Sequence, residues 1–275
     1  MNKLAPWEQE IFHRDDEVPT IFAHGQMRIN LPTVSSKDLP FISILTITRD
    51  RIPFFALPLY NWQKFIYPTS KIEWIIVDGS EHEDLKELLP SDPRIKYYHI
   101  KELPLGQKRN YGAERCQGPI IVHMDDDDYY FPDSLLAKAQ VFMCYPKKGV
   151  IYSMPLGCYD LRTNSSQLAD TILPAFPEAS FAYRKSFWEE SPFREPKGKR
   201  GNEGYYFTYK RRHRCINLPT WFNMVSLTHG KNFTGVLREL DPSEIEQKAP
   251  NFYSDVWDQE TRDIIDLIRR NNDIE

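Results

Sequence analysis

Apolar residues in this chain come in short blocks set apart by polar, Pro-rich and Gly-containing breaks, and the spacing within each block predicts its element. "FISILTIT" (residues 41–48) and "IEWIIV" (72–77) are near-continuous apolar runs rich in β-branched residues, the pattern of strands buried on both faces. "IKYYH" (95–99) reads as a third strand and "PIIVHM" (119–124) as a fourth. Between them the period changes. Residues 53–66 read as a helix with Pro58 near its start, and residues 84–89 as a short helix stopped by Pro90. Residues 106–116, "GQKRNYGAERC", place Arg109, Gly112, Ala113 and Cys116 on one helical face. A further helix opens at Pro132-Asp133 and carries Leu135, Leu136, Ala139, Phe142 and Met143 at helical spacing. Strand and helix alternating with short connections predict an α/β fold with a mostly parallel sheet flanked by helices. Right-handed crossovers bring the carboxyl ends of the strands to one edge. Thr48-Arg49, Asp78 and the acids that follow Met124 should then line one crevice, the place where open α/β sheets bind ligands.

The rest of the chain is less regular. Residues 1–40 form an arm with two short strand patterns, 19–22 and 27–31, around Gly25; His13 and His24 in it read as surface or packing residues. After a strand at 149–153, "PLGCYDLRTNSSQLADTILPAFPE" shows no clear period. Residues 179–193 suggest a strand turning into a short helix. "EPKGKRGNEG" reads as a flexible basic loop that includes Glu203. "CINLPTWFNMVSLTHGKNFT" supplies one or two strands and then His229. From Asp241 the tail is helical. Ser254 and Asp255 are its start signals, and Trp257, Thr261, Ile264, Ile265 and Ile268 form a face that packs on the domain or on a partner such as a second copy.

Composition narrows the class. With 275 residues, 41% hydrophobic and 27% charged, the chain can bury a sizeable core. Its net charge of -4 provides no basic field for nucleic acid. Cys116, Cys144, Cys158 and Cys215 lack CxxC spacing, which suits a reducing compartment better than a disulfide frame or zinc. The opening "MNKLAPWEQEIF" has no apolar core of a signal peptide, and no run approaches a membrane span, so a cytoplasmic setting is expected.

The four consecutive acids Asp125, Asp126, Asp127 and Asp128 repel one another and have no use in a core. At a strand's carboxyl end they suit a hard cation, Mn²⁺ or Mg²⁺, meeting a phosphate, because such ions take carboxylate and phosphate oxygens together. "IIVDGS", "GQKRNYGAERCQG" and "PIIVHMDDDDYYFPDSL" occur in that order, with "ASFAYRKSFWEE" and "GNEGYYF" further on. Together they resemble the GT-A glycosyltransferases of family two, over roughly residues 41–240. The resemblance implies a main domain at 41–240, with a nucleotide-sugar half at 41–128 and an acceptor half at 129–240, a 1–40 arm and a 241–275 helical tail. It also implies a metal-dependent, inverting transfer from a nucleotide diphosphate sugar, expected to be a UDP-sugar, to a sugar, lipid or protein hydroxyl.

Position by position, the resemblance places Asp78 at the nucleotide base and Thr48 to Arg51 along the nucleoside. Lys108 and Arg109 would face the donor, although a solvated helix face also suits Lys108, and Asn110 would brace the loop. Asp125 or Asp126 would hold the ribose or a metal-bound water. Asp127 would ligate the metal, with His229 completing its shell, and Asp128 would face the sugar. An inverting displacement needs a general base for the acceptor hydroxyl. Where the family carries a Glu-Asp pair, this chain reads Asn202-Glu203-Gly204. Glu203 is therefore the expected base, with Asp160, Glu189 and Glu190 as the other candidates. Two competing classes are a nucleotidyltransferase, which would want glycines after the first strand that "TITRDRIPFF" lacks, and a non-catalytic sugar-nucleotide-binding module.

Overall fold

The computed structural model describes residues 20–23, 26–29, 34–82, 85–169, 176–194, 203–232 and 250–274. Strands β1 (Thr20–Ala23) and β2 (Gln26–Ile29) form an antiparallel hairpin. His13, His24 and most of the arm, the basic loop at 195–202 and the expected start of the tail at 241–249 lie outside the described residues.

The main sheet has seven strands. Its parallel half is β3 (Ile42–Thr48), β4 (Ile72–Asp78), β5 (Ile95–His99) and β6 (Ile120–His123). Beyond β6, the antiparallel β11 (Ala182–Arg184) joins β8 (Val150–Tyr152) and then β12 (Cys215–Asn217), giving the order β12-β8-β11-β6-β3-β4-β5. Side chains alternate between the faces of each strand. Ile42, Ile44, Trp74, Ile76 and Val122 enter one core, and Leu45, Ile75, Val77 and Ile121 the other. Burial on both faces explains the near-continuous apolar runs.

Helices cover both faces. α1 (Ala56–Lys64), entered through a 3-10 turn at Ile52–Phe54, and α3 (Ser134–Cys144) bury Trp62, Leu135, Ala139 and Phe142 on the first face. On the second lie α2 (Leu105–Arg115), α4 (Lys185–Glu190) and α5 (Glu203–Thr208), which contribute Ala113, Phe187, Trp188 and Phe207. A Cβ at Gly112 would overlap Leu45, so α2 sits close on β3 only because that position has no side chain.

The stretch without a clear period holds a hairpin, β9 (Leu156–Asp160) with β10 (Ser165–Ala169). With β13 (Met224–Thr228) and β7 (Asp128–Tyr130) it builds a second sheet of order β10-β9-β13-β7. Its period-2 signal is hidden by Gly157 and by polar residues on the outer β10. Leu156, Cys158, Tyr130 and Met224 face the main sheet. Tyr129, Tyr159, Val225 and Leu227 face α6 (Gln259–Asn271). The cap of α6 is Asp258, whose carboxylate accepts from Thr261 N at 2.8 Å; the expected start at Ser254-Asp255 is instead a wide turn over Phe252–Val256. Ile265, Ile268 and Trp257 bury against Leu57, Tyr60 and Phe54, so within this chain the tail's apolar face is covered by the domain itself.

Candidate functional site

In-register pairing sets Thr48 beside Asp78 at the carboxyl ends of β3 and β4. The Asp78 carboxylate is fully buried and already works inside the protein. Its Oδ1 accepts from Ser80 N (2.8 Å) and Ser80 Oγ (2.6 Å), and its Oδ2 accepts from Tyr97 Oη (2.7 Å). A carboxylate offers about four acceptor positions, so one remains. Ser80 Oγ in turn accepts from Asp50 N at 2.7 Å, which links this strand end to the loop after β3. Arg49 in that loop is exposed and lies within ion-pair distance of Asp50 (3.2 Å), Glu81 (3.4 Å) and Glu102 (3.8 Å).

Lys108 is 1% exposed, so the solvated reading of that helix face is not what the structure has. Its Nζ pairs with Glu102 at 2.5 Å and donates to the Thr48 carbonyl at 3.2 Å. Arg109, one residue on, is buried under the acidic turn. It reaches Glu203 Oε1 (3.3 Å), Asp125 Oδ1 (3.5 Å) and His123 Nδ1 (3.0 Å). Asn110 braces the next loop: its amide donates to the Phe193 carbonyl and its Oδ1 accepts from Trp188 Nε1 and Phe193 N.

The four aspartates divide by role. The chain leaves β6, anchored by Met124 N to the Leu45 carbonyl and by Thr46 Oγ1 to the Met124 carbonyl, and turns through Asp125 to Asp127. Asp128 already belongs to β7. It is 3% exposed and its carboxylate accepts from Leu227 N at 3.0 Å, so it staples two strands instead of facing a sugar. Burial raises the Asp125 carboxyl above its ordinary value although Arg109 opposes this. Asp126 is pushed up by burial and the neighbouring Asp127 charge, with Arg51 pulling it back.

Asp127 meets His229 across the crevice. Asp127 Oδ2 lies 2.9 Å from His229 Nε2, with Asn232 Nδ2 at 3.4 Å and Arg51 at 3.7 Å. The His229 ring is fully buried, lies against Phe54 with centroids 4.4 Å apart, and takes Lys231 N–H on Nδ1. Lys231 Nζ donates to the carbonyl of Asn272, at the end of α6, so the tail helps hold this loop.

Two neighbouring donors on a hard divalent ion, each at about 2.1 Å, stand about 3 Å apart. Here Nε2–H of His229 donates to Asp127 Oδ2 at 2.9 Å, a separation at which both atoms could share one ion once Nε2 gives up that proton, and one oxygen plus one imidazole nitrogen is a donor set that Mn²⁺ accepts. Among the described residues no group of three or more His, Cys, Asp or Glu is placed to hold a metal. An ion here would complete its shell with water and phosphate oxygens, the usual arrangement for such cations.

The acid centre around Arg109 was only half legible. Glu203 opens α5, where it is 3% exposed. Glu178, from the 3-10 turn Glu178–Ser180, stands beside it; a lone acid in "PAFPEAS" gives no spacing signal in the sequence. Of the other candidates, Asp160 is held by Arg162 through two side-chain contacts and Glu190 pairs with Arg214 and Arg211, while Glu189 is exposed. All four cysteines are free.

A mixed sheet with this strand order, a cluster of charged side chains at the carboxyl ends of its parallel strands and an acidic turn beyond the fourth match the GT-A fold of glycosyltransferases. The family model for glycosyl transferase family 2 matches residues 59–214, and the chain belongs to that family. Curated relatives include an uncharacterized glycosyltransferase of Rickettsia conorii, 28% identical over 118 residues, which are 38% of this chain and 20% of that protein. Another, from Rickettsia bellii, is 30% identical over 101 residues, 32% of this chain and 15% of that one. The chain thus spans a fifth or less of the length of these relatives. Among solved structures, the mannosyltransferase PcManGT from Pyrobaculum calidifontis, in complex with GDP-Man and Mn2+, superposes with a TM-score of 0.56 at 16% identity, covering 73% of this chain and 60% of that one. S. aureus TarS 1-349 in complex with UDP-GlcNAc gives 0.53 at 15% identity, covering 84% of this chain and 66% of that one. No described helix is long and apolar enough to cross a membrane.

Proposed function

We propose that this glycosyltransferase is a metal-dependent, inverting enzyme that moves a sugar from a nucleotide diphosphate sugar, with UDP as the nucleotide, to an acceptor hydroxyl. The observation that carries this reading is the convergence of Asp127 Oδ2 and His229 Nε2 at the crevice mouth, at the spacing of two ligands on one ion. Asp127 and His229 would hold Mn²⁺ or Mg²⁺. When bound, the ion neutralises the departing diphosphate. Thr48, Arg49 and the remaining acceptor position of Asp78 serve the nucleoside. Asp125 and Asp126 stand on the same turn for the ribose or a metal-bound water. Arg109 orders the acid centre and opposes the rise of its Asp125 and Glu178 carboxyls, while Lys108 fixes the floor of the site through Thr48 and Glu102. The base for the acceptor proton comes from the acid centre that Glu203 and Glu178 form beside Arg109.

The test is release of nucleoside diphosphate over a panel of UDP- and GDP-sugars, with and without Mn²⁺. Transfer should require the metal. Asp127→Ala should lower it by on the order of 10²-fold or more while the fold persists, because thinning an acid cluster relieves repulsion. Near-normal turnover of Asp127→Ala with Mn²⁺ would remove the metal assignment.

A further inference from the structure

Position 204 is where a side chain is missing. Gly204 follows Glu203 on α5, and a Cβ built on it would lie 2.6 Å from both Cγ and Oε1 of Glu178. Real Cβ atoms do not come that close, so the Glu178 side chain fills the space that a residue at 204 would occupy. The fit is built from several sides. Glu178 Oε1 accepts from Gly204 N at 2.8 Å. The Glu178 carbonyl accepts from His123 Nδ1 at 2.8 Å. The Tyr130 hydroxyl donates to the Ala179 carbonyl (2.8 Å) and accepts from Asp125 N (2.9 Å), which pins the turn carrying Glu178 to the acidic turn.

The two glutamates differ in access. Glu203 is 3% exposed and tied to Arg109, whereas Glu178 is only partly buried. Of the pair, Glu178 is the less deeply buried residue.

We propose that Glu178, delivered from a separate turn into the space left by Gly204, is the carboxylate that takes the proton of the acceptor hydroxyl, and that Glu203 and Arg109 are its positioning residues. The inference rests on the transfer reading above. As the acceptor oxygen bonds to the anomeric carbon, the bond from that carbon to the diphosphate oxygen breaks. The diphosphate leaves with the electron pair, the hydroxyl proton passes to a Glu178 oxygen, and solvent later removes it. The groups facing Glu178 are Arg109 from α2, Glu203 from α5, His123 from β6 and, beyond Arg109, Asp125 from the turn. Burial and the Glu203 charge raise its carboxyl above the ordinary range, which Arg109 partly offsets.

Four variants, with Glu178→Ala as the reference, test this. Glu178→Gln should reduce transfer on the order of 10²–10⁴-fold with UDP–Mn²⁺ affinity unchanged by calorimetry. Gly204→Asp alone should be damaging, because its Cβ meets Glu178. Glu178→Ala combined with Gly204→Asp should recover at least about tenfold over Glu178→Ala, since a carboxylate returns to the vacated space. In Glu203→Gln the alkaline shift of the activity limb should disappear, a change that a purely structural role would not produce. Glu178→Gln with more than about a tenth of normal transfer, or no recovery in the double variant, would overturn the proposal. Failure of the wild-type chain to bind UDP with Mn²⁺ would instead sink the donor reading. In that event side-chain carboxyl titration by NMR still decides the pair. Glu178 titrating above the ordinary range and dropping in Glu203→Gln supports it, and ordinary titration overturns it.

Discussion

Arg109 is the residue on which the fold and the acid centre both depend, and Arg109→Leu measures that dependence. The guanidinium is 4% exposed and stands 3.3 Å from Glu203 and 3.5 Å from Asp125. It also acts on Glu178, countering the rise of that carboxyl. Leucine fills part of the volume but leaves three acids crowded with no cation. Removing one partner of a buried ion pair costs about 3–5 kcal/mol. For a chain of this size that lowers Tm by roughly 6–20 °C. The pH dependence carries the sign. Glu178 and Asp125 already bind protons more tightly folded than unfolded, and losing Arg109 strengthens that. A group with a raised folded pKa contributes fully below its unfolded pKa, and the contribution is lost as pH rises through the folded one. The Arg109→Leu deficit should therefore be small near pH 5 and grow toward pH 8. Urea melts at the two pH values read it directly. Adding Glu203→Leu should return part of the lost stability at pH 8, because an apolar pair of similar volume can replace a buried ion pair. A deficit below about 1 kcal/mol, or one independent of pH, would refute the electrostatic account.

Lys138 is fully buried with no hydrogen-bond partner for Nζ, and burial pushes its amine down to about 7. The penalty is absent above the ordinary lysine range and accumulates as pH falls toward 7, so Lys138→Met should add about 1–3 kcal/mol at pH 7 and much less near pH 10.5; calorimetric melts showing a less stable variant at pH 7 would contradict this. Asp78→Ala should weaken UDP binding by about 1–3 kcal/mol in titration calorimetry, and it should also lower Tm because Ser80 and Tyr97 lose an acceptor. Unchanged affinity with lowered Tm would make Asp78 purely a brace of the strand end.

The local code of this chain determined the strands of the parallel half of the main sheet and the helices beside them. Buried parallel strands need long apolar runs, so "FISILTIT", "IEWIIV" and "PIIVHM" announced β3, β4 and β6 without help from their neighbours. The order of those elements also set the edge to which Thr48, Asp78 and the acidic turn belong, because crossover handedness is a rule of chain geometry. The second sheet was not legible. Its strands are three to five residues long, and β7 and β13 pair across nearly a hundred residues of chain, so no local period reports them. The same remoteness explains Asp128, which looks like its three neighbours until Leu227 N arrives to claim it. Lys108 and Arg109 were expected to face the donor, and only the packing of α2 under the strand ends shows how deeply both are buried. Glu178 and Gly204 are 26 residues apart in the chain, and nothing at either position names the other. What places the acid there is the meeting of a 3-10 turn with the start of a short helix, a matter of volume and contact that tertiary packing alone decides.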